Sequence, residues 1–233
     1  MAASLQLLCA GAAQGLVTAL AGLTHDRLGL VTTGRFGAVG AMREAFDAGE
    51  PCDVFVSTQS MIEAMIAEGA LASAGSAALG AVHTGVAIPQ GAARPEVATP
   101  EGLAAALEAA TSIWVPDMLK STAGQHVAKV LDALGIRGRV EARIRMYPNG
   151  ATAMREMVAS GETGAIGITQ ASEILFTQGA QLVYALPTRF ELSTVYSAAV
   201  SARSQRPEQA NAFIGMLVSA EQDDQARRCG FVR

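Results

Sequence analysis

Short apolar runs alternate with amphipathic stretches along the whole chain. Leu5-Gln-Leu-Leu-Cys9 has the pattern of a buried strand, and Ala10-Gly-Ala-Ala-Gln-Gly-Leu16 turns from it into a helix. Further strands are predicted near 29–33, 53–57, 112–115, 140–146 and 164–168, joining the first near 4–9. Helical stretches separate them, among them Ser60 to Glu68 and Ala171 to Thr177. Strands alternating with helices predict parallel sheets covered on both faces, an α/β class.

The pattern occurs twice. Gly37-Ala-Val-Gly-Ala-Met-Arg-Glu-Ala-Phe-Asp-Ala-Gly-Glu50 aligns with Asn149-Gly-Ala-Thr-Ala-Met-Arg-Glu-Met-Val-Ala-Ser-Gly-Glu162. Asp53-Val-Phe-Val-Ser57 and Ala165-Ile-Gly-Ile-Thr169 follow at the same offset. Upstream, Ser112-Ile-Trp-Val115 and Ser121-Thr-Ala-Gly-Gln-His-Val127 echo the first strand and helix more weakly. A period this long is too large for a solenoid and predicts two equivalent lobes. Gly80 to Ile88 and Ser193 to Val200 are expected to cross between them as two hinge strands, with Pro207 to Leu217 as a closing helix. The expected division is residues 1–82 with 190–233 as one lobe and 83–189 as the other.

Composition narrows the function classes. Half of the 233 residues are apolar and 16% are charged, which predicts a packed core rather than disorder. No apolar run is long enough for a bilayer, so no membrane insertion is expected. The net charge of −4 supplies no basic footprint for nucleic acid. Cys9, Cys52 and Cys229 form no pair motif and have no histidine at ligand spacing, so no metal site is expected. Cys9, Cys52 and Trp114 are read as core, and Met42 and Met154 as packing on apolar helix faces. Met1 to Gly22 lacks a basic leader and reads as strand, turn and helix. The expected location is cytoplasmic if Met1 is the native start, and periplasmic if a signal peptide was removed.

Four turns rich in small residues follow the strands: Ala10 to Ala13, Gly34 to Gly40, Lys120 to Gly124 and Asn149 to Thr152. Each opens a helix, whose first N–H groups are unpaired and whose dipole favours negative charge. In open α/β sheets ligands lie beyond the carboxyl ends of the strands. The duplicated turns therefore predict one small-anion site in a cleft between the lobes. Its main-chain contacts are expected at Ala12, Ala13, Ala38, Val39, Gly40, Ala123 and Gly150. Gln14, Arg35, Lys120, Ser121, Thr122, Asn149, Thr152, Gln170 and Tyr196 are the candidate side chains. Arg35 and Lys120 suit carboxylates through charge-assisted hydrogen bonds, or are solvated loop charges. Arg43 and Arg155 sit inside their helices, where a salt bridge to a neighbouring acid is expected. Tyr196 reads either as a phenol at the hinge or as ordinary strand packing.

With these turns in place, the chain resembles the bacterial molybdate-binding proteins, solute-binding components of ABC importers with the type II periplasmic-binding fold. The residues that carry the resemblance are Leu7-Leu-Cys-Ala-Gly-Ala-Ala13, Ala48-Gly-Glu-Pro-Cys-Asp-Val-Phe-Val-Ser57, Ala123-Gly124 and Gly230-Phe231. The resemblance implies a two-lobed fold, a small anionic ligand and, if the protein is exported, an ABC permease as partner. The ligand residues depart from that family. Ala12 stands where the family has an oxyanion-binding Ser, Arg35-Phe-Gly-Ala-Val-Gly40 replaces a Ser-rich turn, and Gln170 replaces a donor Tyr. Loss of these donors points away from molybdate and toward an organic di- or tricarboxylate.

Two functions fit. One is a binding protein that closes around its anion. The other is a cofactor-independent isomerase, because some members of this wider group resemble aconitate isomerase. Shifting a double bond within a carboxylate needs a group to move an allylic proton and donors to steady the enolate-like charge. Lys120 or Tyr196 are the candidates for the proton, with Glu191 behind them.

Overall fold

The computed structural model describes residues 3–233. Elements follow in the order β1 (Ala3–Ala10), α1 (Gly11–Ala19), α2 (Ala21–Leu28), β2 (Leu30–Gly37), α3 (Val39–Asp47), β3 (Val54–Thr58), α4 (Gln59–Ala67) and β4 (Ala77–Pro89). Then come α5 (Pro100–Ala109), β5 (Ser112–Pro116), α6 (Thr122–Ala133), α7 (Arg137–Val140), β6 (Ile144–Tyr147), α8 (Gly150–Ala159), β7 (Ala165–Gln170) and α9 (Ala171–Phe176). The chain closes with β8 (Ala180–Ala185), β9 (Ser193–Val200), α10 (Pro207–Leu217) and α11 (Asp223–Arg228). It divides into two compact units, Met1–Ala81 with Thr194–Arg233, and Val82–Ser193.

In the first unit the strand order is β2-β1-β3-β9, with β1 parallel to both neighbours and β9 antiparallel to β3. In the second, β6, β5 and β7 are parallel in that order, and β4 runs antiparallel to β7 and pairs β8 on its other side. The duplicated sequence thus makes the same β-α-β-α-β path in both units. Each path ends against an antiparallel strand from elsewhere in the chain. This is the α/β fold with helices on both sheet faces that the alternation predicts.

Strand periodicity assigns the faces. Ile113 and Val115 of β5 join Leu103, Leu107, Val127 and Leu131 beneath α5 and α6. Trp114, between them, turns to the other face and packs with Met154, Met157 and Ile174 of α8 and α9. In the first unit Phe46 of α3 meets Phe55 of β3 edge to face at 5.5 Å, with Met42, Ile62 and Met65 around them. Each such fully buried side chain stabilises the fold by about 1.5–3 kcal/mol relative to exposure.

Two expectations need correction. Residues 140–143 are not strand: α7 ends at Val140, a 3₁₀ turn spans Glu141–Arg143, and β6 begins at Ile144. Ile136 and Val140, four apart, are both buried on one side of this turn, while Arg139 pairs with Glu108. The helical i, i+4 pair outweighed the alternation after it. The second small-residue turn is also shorter than Gly34 to Gly40, because residues 34–37 continue β2 in register with Leu7–Ala10. Helix α5 and strand β8 were not anticipated. Yet Thr99 accepting from the Gly102 amide, Pro100 in the first turn, and buried Leu103 and Leu107 are ordinary helix signals.

All three cysteines are free, and Cys9 and Cys52 are buried. Burial, the largest cause, and then the Cys52 thiol push Cys9 far up, while burial pushes Cys52 up to about 12. Only Cys229 is partly exposed. A thiol reagent at neutral pH is therefore expected to titrate one cysteine in the native protein and three after denaturation. Fast native reaction of two or more would contradict this core.

Candidate functional site

In the first unit, the parallel ladder of β1 and β2 ends at the pair Ala10 and Gly37. Helix α1 begins at the next residue of one strand and α3 two residues beyond the other. The two helix starts are therefore neighbours by strand register. Their N-cap residues, Ala10 and Ala38, have no side-chain oxygen, and neither helix has a side-chain cap. The first-turn amides, which include those of Ala12, Ala13, Val39 and Gly40, have no carbonyl four residues back to receive them. Ala12 and Ala13 are buried, so their surroundings are largely closed to bulk water. N–H groups in such a place need an acceptor.

The second unit repeats the register and changes the chemistry. The ladder of β5 and β6 ends at Pro116 and Tyr147, and α6 and α8 start beyond it. Both helices are capped. Buried Ser121 accepts from the Gly124 amide at 3.4 Å, and Asn149 Oδ1 accepts from the Thr152 amide at 2.8 Å. Ahead of α6, Asp117 Oδ1 accepts from the Leu119 amide at 2.7 Å and the Lys120 amide at 3.1 Å. This tight turn presents Lys120 at the surface, with Thr122 partly buried and Ala123 buried behind it. Gly124 is required here, since a Cβ would lie 2.1 Å from the Asp117 carbonyl oxygen.

The start of α8, expected to offer open amides at Gly150 to Thr152, is bonded from within. Glu173 of α9, buried in the unit, accepts from the Ala151 amide at 3.3 Å and from the Thr169 hydroxyl at 2.6 Å. The amides of Gly150 and Gln170 also donate to it. A Cβ on Gly150 would lie 2.0 Å from Glu173 Oε2 and 1.9 Å from Thr169 Oγ1. Burial, the largest cause, lifts the Glu173 carboxyl above the usual carboxylate range, while the hydroxyl and the three amides oppose it.

Other candidates fall in varied places. Arg35 lies within β2 and pairs with Glu50, half-exposed. Arg43 forms the expected bridges, to Asp47 at 2.7 Å and Glu68 at 2.8 Å. Arg155 instead donates to the Thr152 hydroxyl at 2.9 Å. Gln14 is partly buried in α1, and Gln170 is buried at the end of β7 opposite Thr84. Tyr196, read as a hinge phenol or as strand packing, is buried with its ring edge to face with Phe231 at 6.4 Å. Glu191 lies 3.0 Å from His83 Nδ1.

Sequence reasoning missed Glu173 and the buried hydroxyls of Ser57, Thr84 and Ser172, which have no partner among the described residues. The signal for Glu173 was present: at the constant offset of the duplication it stands where the first copy has Met61. Among the described residues no three His, Cys, Asp or Glu side chains gather as a metal site, and no helix is long and apolar enough to cross a membrane.

Comparison with known proteins gives this geometry a context. A family model for bacterial extracellular solute-binding proteins matches residues 5–232. The periplasmic molybdate-binding protein of Azotobacter vinelandii superposes with a TM-score of 0.81 at 17% identity, covering 98% of this chain and 99% of that one. A sulfate-binding protein of Mycobacterium tuberculosis superposes with 0.75 at 16% identity, covering 98% and 86%. At these identities the likeness is one of fold. An aconitate isomerase from Pseudomonas sp. is 30% identical over 173 residues, 74% of this chain but 64% of its own length.

The α8 start makes two predictions. Gly150→Ala should lower unfolding stability by about 2 kcal/mol in a denaturant titration, as overpacking against Glu173 and Thr169 requires. Glu173 has a raised folded-state pKa, so its contribution to stability is full below the unfolded-state pKa and is lost as pH rises through the folded one. Stability should thus decline above the usual carboxylate range in the wild type, and the Glu173→Gln curve should lack that component.

Proposed function

The chain belongs to the bacterial extracellular solute-binding protein family, and from that premise we propose that it binds one small anion, an organic di- or tricarboxylate, at its helix-start turns. The observation that carries the reading is the pair of uncapped starts, α1 and α3, set side by side by the β1–β2 register. Anions bind where such amides converge, because the N–H groups and the dipole both favour negative charge. In this reading the amides at Ala12, Ala13, Val39 and Gly40 take the charge, with Ala38 leading into α3 and Gln14 adding a side-chain donor. The second unit carries a comparable turn, Lys120-Ser121-Thr122-Ala123, with a cation and donors of its own. Asn149, Gly150, Thr152 and Gln170 are the candidates beside it in that unit, and Tyr196 is a candidate in the core of the first.

The replacement of oxyanion-binding hydroxyls by Ala12 and Gln170, together with Arg35 and Lys120, supports carboxylate over tetrahedral oxyanion. Arg35 would leave its pairing with Glu50 to meet the ligand. If the protein is exported, an ABC permease would receive the solute from it, as the relatives' fold suggests.

The 30% identity to an aconitate isomerase supports a second reading with the same ligand class. A base removes an allylic proton, the double bond moves by one carbon pair, and the proton returns at the far carbon, with no net change in atoms or charge. The uncapped amides would hold the carboxylate that accumulates enolate-like charge. Lys120 is the better candidate for the proton, being at the surface where Tyr196 is buried.

A thermal-shift panel of molybdate, sulfate, citrate, tricarballylate and cis- and trans-aconitate tests the ligand class. The true ligand at about 100 times its Kd should stabilise by roughly 2.7 kcal/mol. Stabilisation by molybdate or sulfate with none by any carboxylate would overturn the assignment. Lys120→Ala should weaken binding about tenfold or more, the usual cost of a lost charged hydrogen bond. Proton NMR of cis-aconitate with the protein should show the trans isomer growing if the second reading holds, and Lys120→Ala should stop it; an unchanged spectrum rejects aconitate as a substrate.

A further inference from the structure

We propose that Glu173 is a specificity-determining residue: its carboxylate occupies the start of α8, so this helix start accepts no second anionic group. The consequence for ligand choice rests on the anion-binding reading above. The occupancy itself rests only on the second unit.

Three features are built around that carboxylate. Thr169 donates its hydroxyl to Oε2 at 2.6 Å, the Ala151 amide donates to Oε1 at 3.3 Å, and Gly150 omits the Cβ that would overlap Oε2. Asn149 takes the next amide, that of Thr152, and its carbonyl takes the amide of Ala153 at 3.0 Å. No first-turn donor of α8 is left over. Every group that bonds the carboxyl is a donor. The pocket is therefore shaped for a carboxylate and filled by one from its own chain.

The duplication supplies the contrast. At the matching positions of the first unit, Ala38, Ser57 and Met61 replace Gly150, Thr169 and Glu173. Met61 packs against the apolar cluster of Met42, Phe46 and Phe55, on the α3 face of the sheet. Helix α3, whose N-cap is Ala38, has no side-chain cap, and the buried Ser57 hydroxyl, whose counterpart Thr169 bonds Glu173, has no partner among the described residues. One ancestral helix start has acquired an internal anion and the other has stayed open. An anionic group brought to the start of α8 finds its donors already taken by Glu173, whereas the starts of α1 and α3 have no side-chain acceptor of their own.

Two variants of the full chain test this. Glu173→Ala empties the carboxylate position, and formate is the probe. Formate should raise the Tm of this variant saturably by several degrees, with no comparable rise in the wild type and none from chloride. Absence of a formate-specific rise overturns the occupancy. Glu173→Gln keeps the side-chain shape and removes the charge. For whichever anion of the panel binds the wild type, its affinity by calorimetry should increase at least threefold, most for the ligand with most carboxylates. Affinity within twofold of wild type across the panel overturns the specificity role. Should Glu173→Ala fail to fold, its refolding yield with and without formate gives the same answer. If no panel anion binds the wild type, the anion-binding reading fails, while formate still decides whether α8 holds a carboxylate.

Discussion

A helix that begins directly behind a strand leaves amide groups with nothing in the helix to bond. In this protein that constraint arises twice in the same form. Parallel registers end in pairs, Ala10 with Gly37 and Pro116 with Tyr147; α1, α3 and α8 start close behind their strands, and α6 starts after the Asp117 turn. The position of the donors follows from backbone geometry and would be nearly the same with other side chains. What differs between the units is whether side chains supply the acceptors.

In the second unit the acceptors come from the chain itself. Ser121, Asn149 and Glu173 provide them, and Gly150 leaves the space. Burying a carboxylate is costly unless donors surround it. Here a hydroxyl and three amides surround it and oppose the rise in proton affinity that burial causes. In the first unit Ala10 and Ala38 contribute no acceptor, so neither helix start is capped by its N-cap side chain. This asymmetry between duplicated halves is a stronger argument for an external anion than four glycine-rich turns are. Such turns also serve close packing, as Gly124 does against the carbonyl of Asp117.

Membership of the solute-binding family agrees with a protein that takes up a solute on this fold. Fold and family leave the choice of anion to a few side chains. A binding protein and an isomerase of the same carboxylate would share the amides and differ in a single group able to carry a proton. That is why a solute-binding scaffold and a 30% identity to an aconitate isomerase are compatible in one chain.

The α/β class, the duplication and most strand positions were determined by the sequence, because period-2 and period-3.6 burial patterns are local and survive translation into structure. The burial of Trp114, Met42 and Met154 was expected from the same patterns, and that of Cys9 and Cys52 from the apolar character of a free thiol. Residues 140–143 misled because a four-residue helix and a short strand share their apolar spacing. Whether a helix start is open or closed was left to the tertiary structure. Glu173 is 22 residues from the amide of Ala151 that it accepts from, and Arg35 meets Glu50 only once β2 and the loop after α3 are folded. No local pattern reports which acceptor reaches a donor across that distance, so the turns were legible and their occupants were not.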